Sequence, residues 1–251
     1  MTRFTTKYLL IATIIFVLAL ISCTSKEQKK NTSEATTNEQ VSENKTSTGG
    51  VKLVESIAGV ESTLKFEYDD EHRVVKVSYY YDDTNIPGDV IVFTYNNDGG
   101  IESNTIVGSL SILSYAKNGS VITQHDDYGS YSHTIDSDGN ITETETKYDS
   151  GNTENVYYHY KNGNLIRMNM DGGYEEYKHD DKHTPFANCN GPRWFRFGKS
   201  HRNNIVEHIF TPEGDPLHVI YEYDKDGFPT KSFITFESGE TAITTYTYFI
   251  K

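Results

Sequence analysis

The sequence predicts an all-β fold: an antiparallel meander of repeated hairpins rolled into a barrel or curved half-barrel, soluble rather than membrane-spanning. Three observations lead there. First, one phrase recurs, most clearly as Tyr221-Glu222-Tyr223-Asp224-Lys225-Asp226-Gly227 and Phe93-Thr94-Tyr95-Asn96-Asn97-Asp98-Gly99. Alternation puts its aromatics on one face of a strand, and an Asn or Asp ahead of Gly supplies the positive-φ turn that closes a hairpin. Second, Gly99, Gly119 and Gly139 each precede an aliphatic residue two positions on, Ile101, Val121 and Ile141, and Gly163 with Leu165 continues the series. Third, no stretch beyond the N-terminus sustains apolar residues at i, i+3, i+4 and i+7, so no helix is expected there.

Taken in order, the chain opens with Met1-Thr2-Arg3-Phe4-Thr5-Thr6-Lys7, a basic leader, followed by an apolar run from Tyr8 to Ile21. That run is short for a membrane span of about 20 residues and ends in small residues, as secretory signals do. Leu20-Ile21-Ser22-Cys23 resembles the bacterial lipobox, which implies cleavage after residue 22 and lipidation of Cys23. Several acyl chains on one residue exceed the single-chain affinity that makes lipid anchoring reversible. No Asp follows Cys23, which favours the outer membrane over the inner and leaves open which side the protein faces. Residues 23–50 are Lys, Glu, Asn, Ser and Thr with almost nothing apolar, a composition that cannot offset its own ordering entropy. A disordered tether is expected. Cys189 is the only other cysteine, so a lipidated Cys23 leaves the domain without an internal disulfide.

Residues 51–251 form the β-hairpin repeat domain. Leu64, Phe66 and Tyr68 alternate with Lys65 and Glu67, and Val219, Tyr221 and Tyr223 with His218 and Glu222. With no helix to cover the aromatic face, rolling the sheet on itself is the economical solution. A bilayer-spanning barrel presents its apolar face outward, and charge on one face of most strands argues against that. One irregular segment, at about 180–204, breaks the array. It holds Pro185, Pro192, the sole tryptophan Trp194 and a local excess of base, and it is expected to be a lid or plug, or else a functional loop.

The Tyr-x-Tyr-Asp-x-x-Gly phrase resembles the YD repeats of Rhs-type proteins. Together with the lipobox, Thr184-Pro185-Phe186 and Asn203-Asn204 before the last strands, residues 60–251 are similar to a Bacteroidetes lipoprotein family of unknown function described as porin-like in fold. That resemblance implies a fold and no activity. The repeats are too few for the closed shell of the large Rhs proteins.

Candidate chemistry is sparse. Thr134, Asp136, Asp138, Gly139, Ile141 and Glu145 fall near calcium-loop spacing, but Thr stands at the first ligand position and the flanks read as strands, so a hairpin turn is expected. His179-Asp180-Asp181-Lys182-His183 brings two imidazoles and two carboxylates together without a third convergent ligand partner, and a solvated turn is expected. Gly198-Lys199-Ser200 lacks the first glycine of a phosphate loop. No metal, cofactor or catalytic residue is assigned. The net charge of −13 argues against nucleic acid. Arg193, Trp194 and Arg196 form the candidate binding patch, since they oppose the overall charge. The leading expectation is a non-enzymatic, lipid-anchored envelope module for a glycan, peptide or protein. A structural or assembly subunit is the alternative, and a hydrolase of envelope or host polymers the third. Oligomeric state stays open.

Overall fold

The computed structural model describes residues 50–81, 86–106, 112–126, 129–195, 197, 201–212, 215–236 and 238–251. The leader, Cys23 and all but the last residue of the tether lie outside the described residues. Sixteen strands follow one another: β1 (Lys52–Ala58), β2 (Ser62–Tyr68), β3 (Val74–Tyr81), β4 (Asp89–Tyr95), β5 (Ile101–Ile106), β6 (Ile112–Asn118), β7 (Val121–Asp126) and β8 (Gly129–Ile135). Then come β9 (Ile141–Tyr148), β10 (Thr153–Lys161), β11 (Asn164–Met170), β12 (Gly173–His179), β13 (Ile205–Thr211), β14 (Leu217–Tyr223), β15 (Pro229–Thr235) and β16 (Thr241–Ile250). Each pairs antiparallel with its neighbours in sequence, and β1 pairs with β16 to close the barrel.

Closure follows from the two-faced strands. Phe66 stands opposite Val77, Tyr221 opposite Ser232 and Tyr246 opposite Ile57, all on the inner face. Leu53, Val54, Ile57, Val74 and Val77 are at most 1% exposed and form the centre of the apolar core. A barrel satisfies every strand edge, which an open sheet would leave unpaired. The seam is well made: Ser56 Oγ lies 2.8 Å from Thr247 Oγ1, and Val51 and Lys251 exchange backbone hydrogen bonds of 2.9 and 3.0 Å beside it.

The array is therefore a complete barrel rather than a half-barrel, and the expectation that it is soluble rather than membrane-spanning is corrected. That expectation rested on outward charge, which is real on β2–β3, where Lys76 Nζ meets Glu67 Oε1 at 2.7 Å. Across β4–β8 it fails. There Val92 faces Thr105, Thr94 faces Ser103, Ala116 faces Thr123 and Thr123 faces Ser132 on the outer wall, all uncharged. An even-numbered antiparallel up-and-down barrel is also the architecture with which strands cross bilayers. Alternation shows which residues share a face; it does not exclude the membrane.

Candidate functional site

The repeat turns all lie at one mouth of the barrel, and several share one construction, whereas the β6–β7 and β10–β11 turns are tighter, with Asn118 paired with Val121 and Lys161 with Asn164. At the β8–β9 turn Asp136 donates its N–H to Asn140 O (2.9 Å), while its Oδ1 accepts from the N–H groups of Asp138 and Asn140 (both 2.9 Å). Asn96 and Asp224 repeat this arrangement in the β4–β5 and β14–β15 turns. Short side-chain oxygens capture nearby backbone donors in this way wherever Asn or Asp opens a turn. Gly99, Gly139 and Gly227 sit at φ of 76°, 81° and 81°, where a side chain would be strained.

The irregular segment between β12 and β13 is one of these turns, enlarged. Asp180 donates to Asn204 O at 3.0 Å, and its Oδ1 accepts from Lys182 N and Asn204 N at 3.0 and 3.1 Å. The closing residue thus stands 24 positions on, against four in the β8–β9 turn. Asn204 Nδ2 and the Tyr223 hydroxyl both donate to Asp180 Oδ2, completing a clasp. The described residues between Asp180 and Asn204 fold back into the mouth. Phe186 packs edge-on to Phe66 at 5.2 Å, Phe195 to Phe93 at 4.9 Å and Phe197 to Phe66 at 5.5 Å. Asn188 and Asn190 donate to the carbonyls of Lys52 and Glu71 at 2.9 and 2.7 Å. Cys189, fully buried, lies 3.8 Å from the Tyr68 hydroxyl. This mouth is capped.

Of the candidate patch, Arg193 Nη2 donates to Gly163 O at 3.2 Å, and the side chain is half-buried. Trp194 leans on Tyr115 at 5.4 Å and is likewise half-buried. Arg196 lies outside the described residues. The calcium-spaced residues run from the end of β8 through the β8–β9 turn into β9, with Glu145 Oε1 held by Lys147 Nζ at 2.6 Å. His183 stacks on Phe228, and Asp180 belongs to the clasp.

The other mouth is different. Inward residues of the middle layer are buried, among them Ile122, Thr144, Met168, Glu175, His208 and Thr244. One step toward the mouth opposite the cap, the inward residues Gln124, Tyr131, Glu154, Met170 and Phe210 are half-exposed. Among the described residues the interior is therefore a cup with a floor. Its wall carries a Tyr148 hydroxyl donating to Glu154 Oε2 at 2.8 Å, and burial together with Glu154 pushes that phenol up to about 12. In the floor, Glu175 Oε2 accepts from the Tyr177 hydroxyl and lies 2.7 Å from His208 Nε2, with His208 stacked on Tyr177. Burial, then Glu175, push the Tyr177 phenol far up. His133 Nδ1 lies 2.9 Å from Thr144 Oγ1, and burial lowers its imidazole to about 4.

Sequence reasoning passed over the cup residues. One signal was present: in Tyr174-Glu175-Glu176-Tyr177 one glutamate must share the inner face with Tyr177. Which partners converge on it depends on strands far apart in sequence.

No protein-family model matches the chain, and no curated protein matches it. Among solved structures it is similar to a porin-like protein from Bacteroides uniformis, at 14% identity and a TM-score of 0.55, over 80% of this chain and 97% of that one. A second porin-like protein, from Bacteroides vulgatus, shows 11% identity and a TM-score of 0.35 over 79% and 99% of the two chains, a superposition too loose to inform the fold. The first likeness concerns fold alone. It agrees with the closed barrel and leaves the reading of a soluble, non-spanning sheet without support.

Proposed function

We propose that this chain is a non-enzymatic envelope barrel, anchored by lipid on Cys23, that holds a small glycan-type ligand in its open cup. The observation that carries this reading is the composition of the half-exposed inner wall. Tyr131 and Phe210 offer aromatic faces, and Gln124, Glu154 and the Tyr148 hydroxyl offer hydrogen-bonding groups beside them. Sugars combine apolar C–H faces with dense hydroxyls, and pockets that pair aromatics with a few polar groups suit them. With the other mouth capped, the interior formed by the described residues is reached from one end.

The test is binding of the full chain to a glycan array, followed by titration of the best oligosaccharide. Tyr131→Ala and Phe210→Ala are each expected to weaken binding at least tenfold with little change in melting temperature. An array without hits, or hits indifferent to both substitutions, contradicts the reading. For the anchor, Cys23→Ala is expected to abolish incorporation of a radiolabelled fatty acid, and continued labelling contradicts it.

A second reading, a subunit of an envelope assembly, draws on the outer wall. Ile220 (69% exposed) stands opposite half-buried Phe233, which stands opposite Ile243 (47% exposed). Such a row suits a protein contact. Sedimentation of the full chain, with Ile220→Lys as the disrupting variant, separates the two.

A further inference from the structure

Among the described residues, the capped mouth contains three buried nitrogen atoms with no hydrogen-bond partner, His179 Nε2, His201 Nδ1 and Arg193 Nε, and one buried acceptor likewise unpaired, Asn140 Oδ1. The three nitrogens lie together. The rings of His179 and His201 are 5.7 Å apart, and Arg193 Nη2 shares the Gly163 carbonyl with the N–H of Arg202, the residue after His201. Two come from the inserted segment and one from the end of β12, so the insertion itself assembles the cluster.

Buried donors are almost always satisfied, and leaving a guanidinium N–H without an acceptor is costly. The nearby carboxylates do not supply one. Asp136 accepts from Asp138 N, Asn140 N and Asn140 Nδ2. Asp180 is filled by Lys182 N, Asn204 N, Asn204 Nδ2 and the Tyr223 hydroxyl. Arg193 makes no ion pair among the described residues. Burial lowers both imidazoles to about 4, so near neutrality each carries one N–H that tautomerism can place on the unpaired nitrogen. Three buried donors, one of them cationic, thus gather at this mouth with no acceptor within hydrogen-bond distance among the described residues.

We propose that Arg193, His179 and His201 form an oxyanion-binding site beneath the cap, taking a carboxylate or phosphate group. The site is separate from the open cup and does not depend on what the cup holds. It gives the inserted segment a role the shorter repeat turns lack: an anion bound there ties the segment to β12 and the β10–β11 turn.

The experiment is calorimetric titration of the full chain with inorganic phosphate and, separately, with acetate, against chloride at equal ionic strength. Saturable binding of at least one anion is expected, with a rise in melting temperature. Phosphate alone identifies a phosphoryl group as the ligand, acetate alone a carboxylate. Arg193→Gln is expected to weaken binding at least tenfold. His179→Gln, which leaves the inserted segment untouched, is expected to weaken it several-fold and serves if the arginine variant folds poorly. Absence of saturable binding by either anion overturns the proposal, as does binding of parental strength in the folded variants.

Discussion

Three tyrosines of the repeat do more than fill the interior. Tyr68 donates to Val54 O at 2.8 Å, Tyr95 to Val74 O at 2.7 Å and Tyr248 to Pro229 O at 2.8 Å, each reaching the preceding strand. A buried carbonyl deprived of its donor loses a bond worth about 1 kcal/mol. Tyr95→Phe keeps the ring under the Arg73 guanidinium, 4.5 Å away, and is expected to cost about 1 kcal/mol in chemical denaturation. Gly139→Val, at a φ of 81°, is expected to cost about 1–2 kcal/mol, since a β-branched residue is strained there. His133 predicts a pH effect. Burial holds its folded pKa at about 4, below the ordinary value of 6.5, so between those values the unfolded chain binds the proton and the native one does not. Stability then falls as pH drops from 6.5 toward 4, by up to about 1.4 kcal/mol per pH unit from this residue. His133→Gln is expected to flatten the slope in denaturation series across that window. The alternation and the glycines of these turns were legible in sequence because both are local. The tyrosine hydroxyl bonds were not, because Tyr95 and its acceptor are 21 residues apart.

At the scale of the element, the cap is a turn that has been opened and refilled. Its boundaries were legible, marked by Pro185, Pro192 and the bases around Trp194. Its relation to the repeat was not. Asp180 follows a strand as Asp136 does, and Asn204 plays the part of Asn140, but the separation of 24 positions hides the pairing. Removing the clasp should therefore loosen the segment while leaving the strands in place. Asp180→Ala takes acceptors from Lys182, Asn204 and Tyr223 and is expected to cost about 2–4 kcal/mol. The same change is expected to speed modification of Cys189, now fully buried, by a water-soluble thiol reagent followed by mass spectrometry. Parental labelling rates in the variant would mean that the aromatic packing of Phe186, Phe195 and Phe197 holds the cap unaided.

For the whole molecule, closure determines everything else: without it there is neither a cup nor a mouth to cap. Sequence could say that the aromatic face must be covered, and rolling the sheet was the right answer to that. It could not say that sixteen strands close on themselves, because closure depends on strand number, tilt and register together. Nor could it weigh the outer wall strand by strand: the charge carried outward by Lys65, Glu67 and Glu222 does not extend across β4–β8, where Val92, Thr94, Ala116 and Thr123 face outward instead.

The β1–β16 seam offers the most direct test of closure. Ser56 Oγ and Thr247 Oγ1 are 2.8 Å apart across it, within reach of a disulfide. In a Cys189→Ala background, the pair Ser56→Cys and Thr247→Cys is expected to oxidise to an intramolecular crosslink, seen as a mobility shift reversed by reductant. The control is Thr94→Cys with Ser103→Cys, whose hydroxyls are 2.7 Å apart within one hairpin and which forms whether or not the sheet closes. Crosslinking of both pairs is the result a closed barrel predicts; crosslinking of the control alone would contradict it.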